Sequence, residues 1–310
     1  FSHLLGASVG REGAALQMGG SVGEYMGAGF RLSKDDKKTM IMAGMSAAFS
    51  AVFGTPIAAS VFSIEVVTVG LMHYEALLPS VIASFTARFV AAKLGANALS
   101  YELNVEPDFT PLGMLKVAGL SLLCGLISIV FCMAMHKGEE ISKKGIPNDY
   151  IRSVIFGTSI LVLSLIFNDQ VYNGTGTEYI HLCLNGDTRS LGFLIKMVFT
   201  VLSILAGYKG GEIVPSFFMG ASLGSLYGNL LGFSPELCAA LGLSGMFCSV
   251  TNCPITSFLI FCELFGFDNA PYAMLTCALC YILSGYYGLY TGQDILYSKF
   301  RSSYINKKTK

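Results

Sequence analysis

Long apolar runs with few charges dominate the chain, over roughly 39–72, 76–100, 112–135, 151–167, 190–206, 213–234, 237–262 and 269–292. A helix that spans a bilayer needs about 20 apolar residues. Several of these runs are interrupted by Gly, by Pro or by the triplet Asn252-Cys253-Pro254. The pattern therefore predicts helices of two kinds, whole spans and half-length pieces. A half-length piece leaves backbone polar groups bare, which a bilayer tolerates only where they line a protein-enclosed cavity. Broken helices at corresponding places in two halves of a chain point to a transporter binding site.

The halves are visible. GREGAALQMGGSVGEYMG, beginning at Gly10, aligns without a gap on GEIVPSFFMGASLGSLYG, beginning at Gly211, so that Met18, Gly19, Ser21, Gly23 and Gly27 fall on Met219, Gly220, Ser222, Gly224 and Gly228. At nearly the same offset, residues 44–65 match 242–263, pairing Ser46 with Ser244, Phe49 with Phe247, Pro56 with Pro254, Ile57 with Ile255 and Glu65 with Glu263. Two blocks repeated in order imply duplication. The expected architecture is all-α and polytopic, with two inverted-topology repeats. Residues 1–111 form the remainder of the first repeat, and 112–310 the second repeat with a basic cytoplasmic tail. The chain opens in mid-pattern on FSHLLGASVGREG, so helices of the first repeat are expected to precede it.

Composition agrees with a membrane protein. Of 310 residues, 53 % are hydrophobic and 13 % charged, with mean hydropathy +0.60, whereas soluble domains are about 25 % charged. A formal net charge of zero argues against nucleic acid, which demands a basic excess. The nine cysteines are scattered. Cys277 and Cys280 form a CxxC inside an apolar run, with no second pair or His cluster to complete a metal site. They read as small buried hydrophobes, and no metal or cofactor is expected. An intramembrane enzyme would require a paired nucleophile and base or a His-rich motif, and His3, His73, His136 and His181 lack such spacing.

Loop charge orients the chain. Arg31, Lys34, Lys37 and Lys38 crowd one loop, Lys137, Lys143, Lys144 and Arg152 another, and Lys299, Arg301, Lys307, Lys308 and Lys310 the tail. The positive-inside rule places these in the cytoplasm. Loops 97–111 and 168–188 hold the acids Glu102, Glu106, Asp108, Asp169, Glu178 and Asp187 and are expected outside. Asn173-Gly174-Thr175 is a glycosylation sequon, which carries meaning only in a secretory compartment.

Each first repeat block opens with a Gly-rich turn and runs into a helix rich in small residues, which lets backbones approach closely. A bare helix N-terminus presents unpaired N–H groups and roughly half a positive charge, an anion site made from backbone. Inversion would aim two such ends, near Glu12 and Ile213, at one midplane point. Glu12 stands at the first of them with its own carboxylate. Ionised, it plugs the site; protonated or displaced, it vacates it. Glu65 and Glu263 end equivalent helices in both repeats, and the equivalence favours a structural role such as backbone capping.

GREG before a small-residue helix, the GGxxxP element from Gly210 to Pro215, and the tail QDILYSKF with Tyr297 together resemble the CLC family of chloride channels and proton-coupled anion antiporters. The resemblance covers essentially the whole chain. It implies that Glu12 is the gate and proton carrier, with Gly10, Arg11 and Gly13 completing its turn. It implies further that Gly211, Glu212 and Ile213 turn backbone N–H groups toward the central anion, and that the Tyr297 hydroxyl closes the site from inside. A homodimer with one pathway per subunit, packed through faces within 43–70 and 254–285, is implied as well. The family's Gly-Ser-Gly-Ile-Pro turn is absent and would precede Phe1.

The departures narrow the resemblance. Exchangers for chloride carry a second glutamate after the position of Glu65, where this chain has Val66. Ala14 replaces the usual proline, and Glu212 an aliphatic residue. These changes resemble the bacterial fluoride-exporting branch, although that branch places a threonine where Val214 stands. The implied function is a halide transporter of the cell membrane, a proton-coupled antiporter exporting fluoride, with a passive chloride or fluoride channel and a chloride/proton exchanger as alternatives.

Overall fold

The computed structural model describes residues 2–3, 6–96, 101, 103, 105, 109–167 and 170–310. The acids Glu102, Glu106, Asp108 and Asp169, expected on the outer side, are not among them. Twelve α-helices succeed one another among the described residues: α1 (Glu12–Gly29), α2 (Lys34–Phe53), α3 (Pro56–Glu65), α4 (Leu77–Lys93), α5 (Pro111–Gly145), α6 (Asp149–Phe167), α7 (Thr177–Leu184), α8 (Gly192–Leu205), α9 (Ile213–Leu231), α10 (Pro235–Thr251), α11 (Pro254–Phe265) and α12 (Ala270–Leu283). The all-α class holds, with one small addition. A three-stranded sheet joins β1 (Thr68–Val69), β2 (Asp294–Tyr297) and β3 (Tyr304–Lys308), β2 running parallel to β1 and antiparallel to β3. It ties the tail to the end of α3.

The helices break where the sequence punctuates them. The run 39–72 divides at Gly54, a left-handed C-cap at φ 77°, and α3 starts on Pro56. The run 237–262 divides at the equivalent Asn252, left-handed at φ 61°, and α11 starts on Pro254. A left-handed residue ends a helix because its N–H turns back onto the last turn, and proline suits the first position of the next because its missing N–H has no partner there. Among the described residues, three helices are long and apolar enough to cross a membrane, Tyr74–Lys93, Pro111–Gly145 and Asp149–Phe167. The pieces α3, α8, α10, α11 and α12 are shorter and apolar.

Packing repeats as the sequence does. A side chain at Gly19 would collide with the Gly44 carbonyl and one at Gly44 with the Gly19 carbonyl, so α1 lies backbone-on-backbone against α2. Gly220 and Gly242 do the same for α9 and α10. Between the halves, the caps are exchanged. Glu65, the last residue of α3, accepts the N–H of Ile255 at 3.1 Å and of Thr256 at 2.8 Å, together with the Thr256 hydroxyl, at the start of α11. Glu263, near the end of α11, accepts the N–H of Ile57 at 3.0 Å and of Ala58 at 2.7 Å, at the start of α3. The end of each helix therefore meets the beginning of the other. Such exchange requires α3 and α11 to run antiparallel, as inverted repeats must.

Two basic residues of the segments assigned to the cytoplasm turn into the protein. Arg152 is buried and pairs with Asp149 at 2.6 Å, and Lys299 turns its ammonium inward.

Glu65→Ala removes the acceptor of two backbone donors in a protein interior and is expected to cost about 2 kcal/mol, read as a lower unfolding temperature of the purified protein in detergent. Glu65→Gln, which keeps one acceptor oxygen, is expected to lose less.

Candidate functional site

The two Gly-rich turns meet each other. The Gly10 N–H donates to the Gly211 carbonyl at 2.6 Å and the Gly211 N–H to the Gly10 carbonyl at 2.7 Å, an isolated antiparallel bridge between the repeats. Only glycine permits the approach. A Cβ on Gly211 would stand 2.7 Å from the backbone N of Gly13 and 3.3 Å from its Cα, and backbone cannot yield as a side chain can. A Cβ on Gly10 would overlap the Glu12 carboxylate, which folds back over that residue.

From this bridge α1 and α9 depart. Arg11 and Glu212 are their N-cap residues, and neither makes a side-chain cap bond. The first-turn N–H groups of both helices thus lack intrahelical acceptors and carry the positive end of the helix dipole. Glu12 opens α1 at 4 % exposure, and its Oε2 is buried with no hydrogen-bond partner. Burial is the largest influence on the carboxylate, ahead of the Glu12 N–H, the Arg11 charge and the Arg11 N–H. Ile213 opens α9 and is buried.

Each N-cap faces a different cavity. Arg11 and Glu12 line one of about 580 Å³ with His3, Phe53, Thr175, Thr177, His181 and Val214. Glu212 lines a second, of about 400 Å³, with Glu139, Lys143, Asp149, Arg152 and Lys209. The first adjoins the loop assigned outside and the second the basic loop assigned to the cytoplasm. Equivalent N-cap positions thus carry opposite charge, Arg11 at the first cavity and Glu212 at the second.

The turn before Gly10 is anchored by α8. Lys196, Thr200 and Ser203 recur at helical spacing, and all three are fully buried. The Ser8 N–H donates to Ser203 Oγ at 2.9 Å, and Ser8 Oγ lies 3.2 Å from Thr200 Oγ1. The Lys196 ammonium donates to the carbonyls of Tyr172 at 3.1 Å and Gly174 at 2.8 Å and stands 5.1 Å from the Phe218 ring centroid. Gly174 N–H in turn donates to the Ala7 carbonyl at 3.0 Å. Lys196 was open to sequence reasoning as the lone charge in the run 190–206, because an ionisable residue within a membrane span is functional by default.

Of the residues named from sequence, Gly10, Arg11, Glu12, Gly13, Gly211, Glu212 and Ile213 come together at the bridge. Tyr297 does not join them. It lies in β2, 47 % exposed, its ring 5.7 Å from that of Tyr304 and its Cβ against Gly70. Tyr290, in the turn after α12, feels the charges of both Glu12 and Glu212. Its hydroxyl is buried without a hydrogen-bond partner. Position in an aromatic-rich tail hid it, since Tyr281, Tyr286 and Tyr287 flank it and read together as an interfacial belt. Among the described residues no group of His, Cys, Asp and Glu could hold a metal, and the cysteines are free and buried.

Fold and site define a class: a polytopic membrane protein whose inverted halves aim paired helix N-termini at one another, with a buried carboxylate between them. The chain belongs to the voltage-gated chloride channel, or CLC, family, whose family model matches residues 1–285. It is 35 % identical over 304 residues to a chloride/fluoride channel protein of Pseudomonas syringae pv. tomato, covering 96 % of this chain and 67 % of that one. It is 28 % identical over 294 residues to the voltage-gated ClC-type chloride channel ClcB of Escherichia coli O139:H28, covering 90 % of this chain and 69 % of that one. The crystal structure of a CLC-type fluoride/proton antiporter superimposes with TM-score 0.91 at 36 % identity, over 94 % of this chain and 74 % of that one. A slow cyanobacterial Cl⁻/H⁺ antiporter shares the fold, with TM-score 0.79 at 18 % identity, over 91 % of this chain and 69 % of that one. The chain is an integral, multi-pass membrane protein.

Tyr290→Phe is expected to change anion flux through proteoliposomes, since it deletes a buried, unpartnered hydroxyl that feels the charges of Glu12 and Glu212, whereas Tyr297→Phe is expected to leave flux at the parent rate. The reverse outcome would return the role to Tyr297.

Proposed function

We propose that this chain exports halide, fluoride in preference to chloride, in exchange for protons, with Glu12 as both gate and proton carrier. The observation that carries the reading is the buried Glu12 carboxylate at the start of α1, with an unpartnered oxygen beside the Gly10–Gly211 bridge. Ionised, it competes with an anion for the N–H groups of α1 and α9. Protonated, it loses that competition and an anion takes its place, so proton and anion occupy the site in alternation. Arg11 draws anions into the outer cavity. Gly10 and Gly13 keep the first turn open, and Gly211, Glu212 and Ile213 supply the second helix end. Glu212 adds a carboxylate on the inner side, where Val66 cannot titrate. Tyr290 takes the inner position that the sequence reading gave to Tyr297.

Fluoride is smaller and more strongly hydrated than chloride, so a site that selects it must replace a costly hydration shell with close, strong donors. Backbone N–H groups at helix ends provide these. Ala14, where proline is usual, leaves one further N–H in the first turn of α1. The similarity to a chloride/fluoride channel and to a fluoride/proton antiporter supports the same substrate. Val66 suits a passive channel equally well, and coupling separates the two.

The same reading takes residues 1–111 and 112–310 as the two repeats and a homodimer as the assembly. Exposed Ile57, Ile255, Met274 and Ile282, on α3, α11 and α12 in the segments expected to pair, support the dimer.

Glu12→Gln is expected to abolish proton movement while halide flux persists uncoupled, because an amide neither titrates nor competes as an anion; pH and anion electrodes on one proteoliposome suspension read both. Proton pumping at the parent rate would remove Glu12 from the mechanism. Parent protein is expected to move fluoride faster than chloride in the same vesicles, and equal or faster chloride would leave the family standing and refute the fluoride preference.

A further inference from the structure

One break between helices differs between the repeats in a way that geometry alone does not require. Gly54 and Asn252 occupy equivalent left-handed C-caps, at φ 77° and 61°. Glycine meets that backbone without strain, while asparagine is the side chain that tolerates it best. The second repeat therefore accepts a less permissive residue, and its side chain is fully engaged. Asn252 Nδ2 donates to the Tyr287 carbonyl at 3.2 Å and to Gln293 Oε1 at 3.1 Å, while its Oδ1 accepts the Lys299 ammonium.

Gln293 is the second centre of the cluster. It is 3 % exposed, and its Nε2 donates to the Val66 carbonyl at 2.7 Å and to the Thr251 carbonyl at 3.0 Å. These are the C-terminal ends of α3 and α10. Its backbone N–H donates to the Tyr290 carbonyl at 3.0 Å. Thr309, in the tail, closes the ring, donating its N–H to the Gln293 carbonyl at 3.1 Å and its hydroxyl to the Tyr290 carbonyl. Every polar hydrogen of the two amide side chains has an acceptor, and a fully satisfied buried network of this kind rigidifies what it holds. What it holds is the turn that carries Tyr290.

We propose that Gln293, with Asn252 beside it, is a positioning residue that fixes the Tyr290 hydroxyl in the anion site by locking its turn to the ends of α3 and α10. The inference rests on the role given to Tyr290 above. The Tyr290 hydroxyl has no hydrogen-bond partner of its own, so its place is set by its backbone. That backbone is held by the Gln293 N–H and Thr309, and Gln293 is itself held at Val66 and Thr251. The sequence QDILYSKF thus contributes through its first residue rather than through Tyr297.

The test is a double-mutant cycle in the full chain, with fluoride affinity measured by titration calorimetry in detergent and flux in proteoliposomes. Gln293→Leu keeps the approximate volume and deletes the side-chain bonds, and it is expected to weaken fluoride binding roughly tenfold. In a Tyr290→Phe background the same substitution is expected to add little, because residues that act as a unit are non-additive. Thr309→Val, nearly isosteric and at the edge of the network, is expected to shift affinity in the same direction by less, and it serves if Gln293→Leu does not fold. A merely structural role would lower the unfolding temperature and leave affinity and its dependence on Tyr290 unchanged. Parent affinity in folded Gln293→Leu and Thr309→Val, or full additivity with Tyr290→Phe, would overturn the proposal. Tyr290→Phe that alone behaves as parent would instead refute the role of Tyr290.

Discussion

Two backbone hydrogen bonds between Gly10 and Gly211 set the terms for the rest of the molecule. They bring the starts of α1 and α9 together and fix the distance between two sets of unpaired N–H groups. They also exclude any side chain from the contact. An anion needs donors from more than one direction to replace its hydration shell, and no single helix end provides that. Everything that holds the bridge, including the bonds of Ser8 to α8 and the glycine contacts of α1 with α2 and α9 with α10, therefore serves the site at one remove.

The exchanged caps of Glu65 and Glu263 do for α3 and α11 what the bridge does for α1 and α9. Each carboxylate satisfies the donors of the opposite repeat, so neither half is complete alone. In a bilayer interior, an unsatisfied helix end costs several kcal/mol. These two ends are closed by protein, whereas the ends at Glu12 and Ile213 are left open. The contrast separates helix termini that build the fold from those that act, and the sequence marks each pair in its own way, proline at the closed ends and glycine before the open ones.

The repeats are not used symmetrically, and the departures from symmetry gather around the site. Arg11 faces one cavity where Glu212 faces the other. Gly54 merely ends a helix where Asn252 ends one and also holds a turn. Glu12 has Ile213 as its counterpart, so the first residue of one helix titrates and that of the other does not. Duplication supplies the paired dipoles, and the differences between copies supply direction.

The duplication, the helix breaks and the seven residues at the bridge were legible in the sequence because each is a local property: glycine admits a close approach, proline starts a helix, and apolar length measures a span. The capping role of Glu65 and Glu263 was legible from their equivalence. The place of Tyr297 away from the bridge, the inward turn of Lys299 and the anchoring of Ser8 by α8 were decided only by tertiary structure. In a soluble protein, apolar periodicity separates core from surface. Here lipid and core are equally apolar, so the pattern that marks a helix does not say which of its faces, or which of several neighbouring tyrosines, looks inward. That is settled by which backbone groups the fold brings within reach.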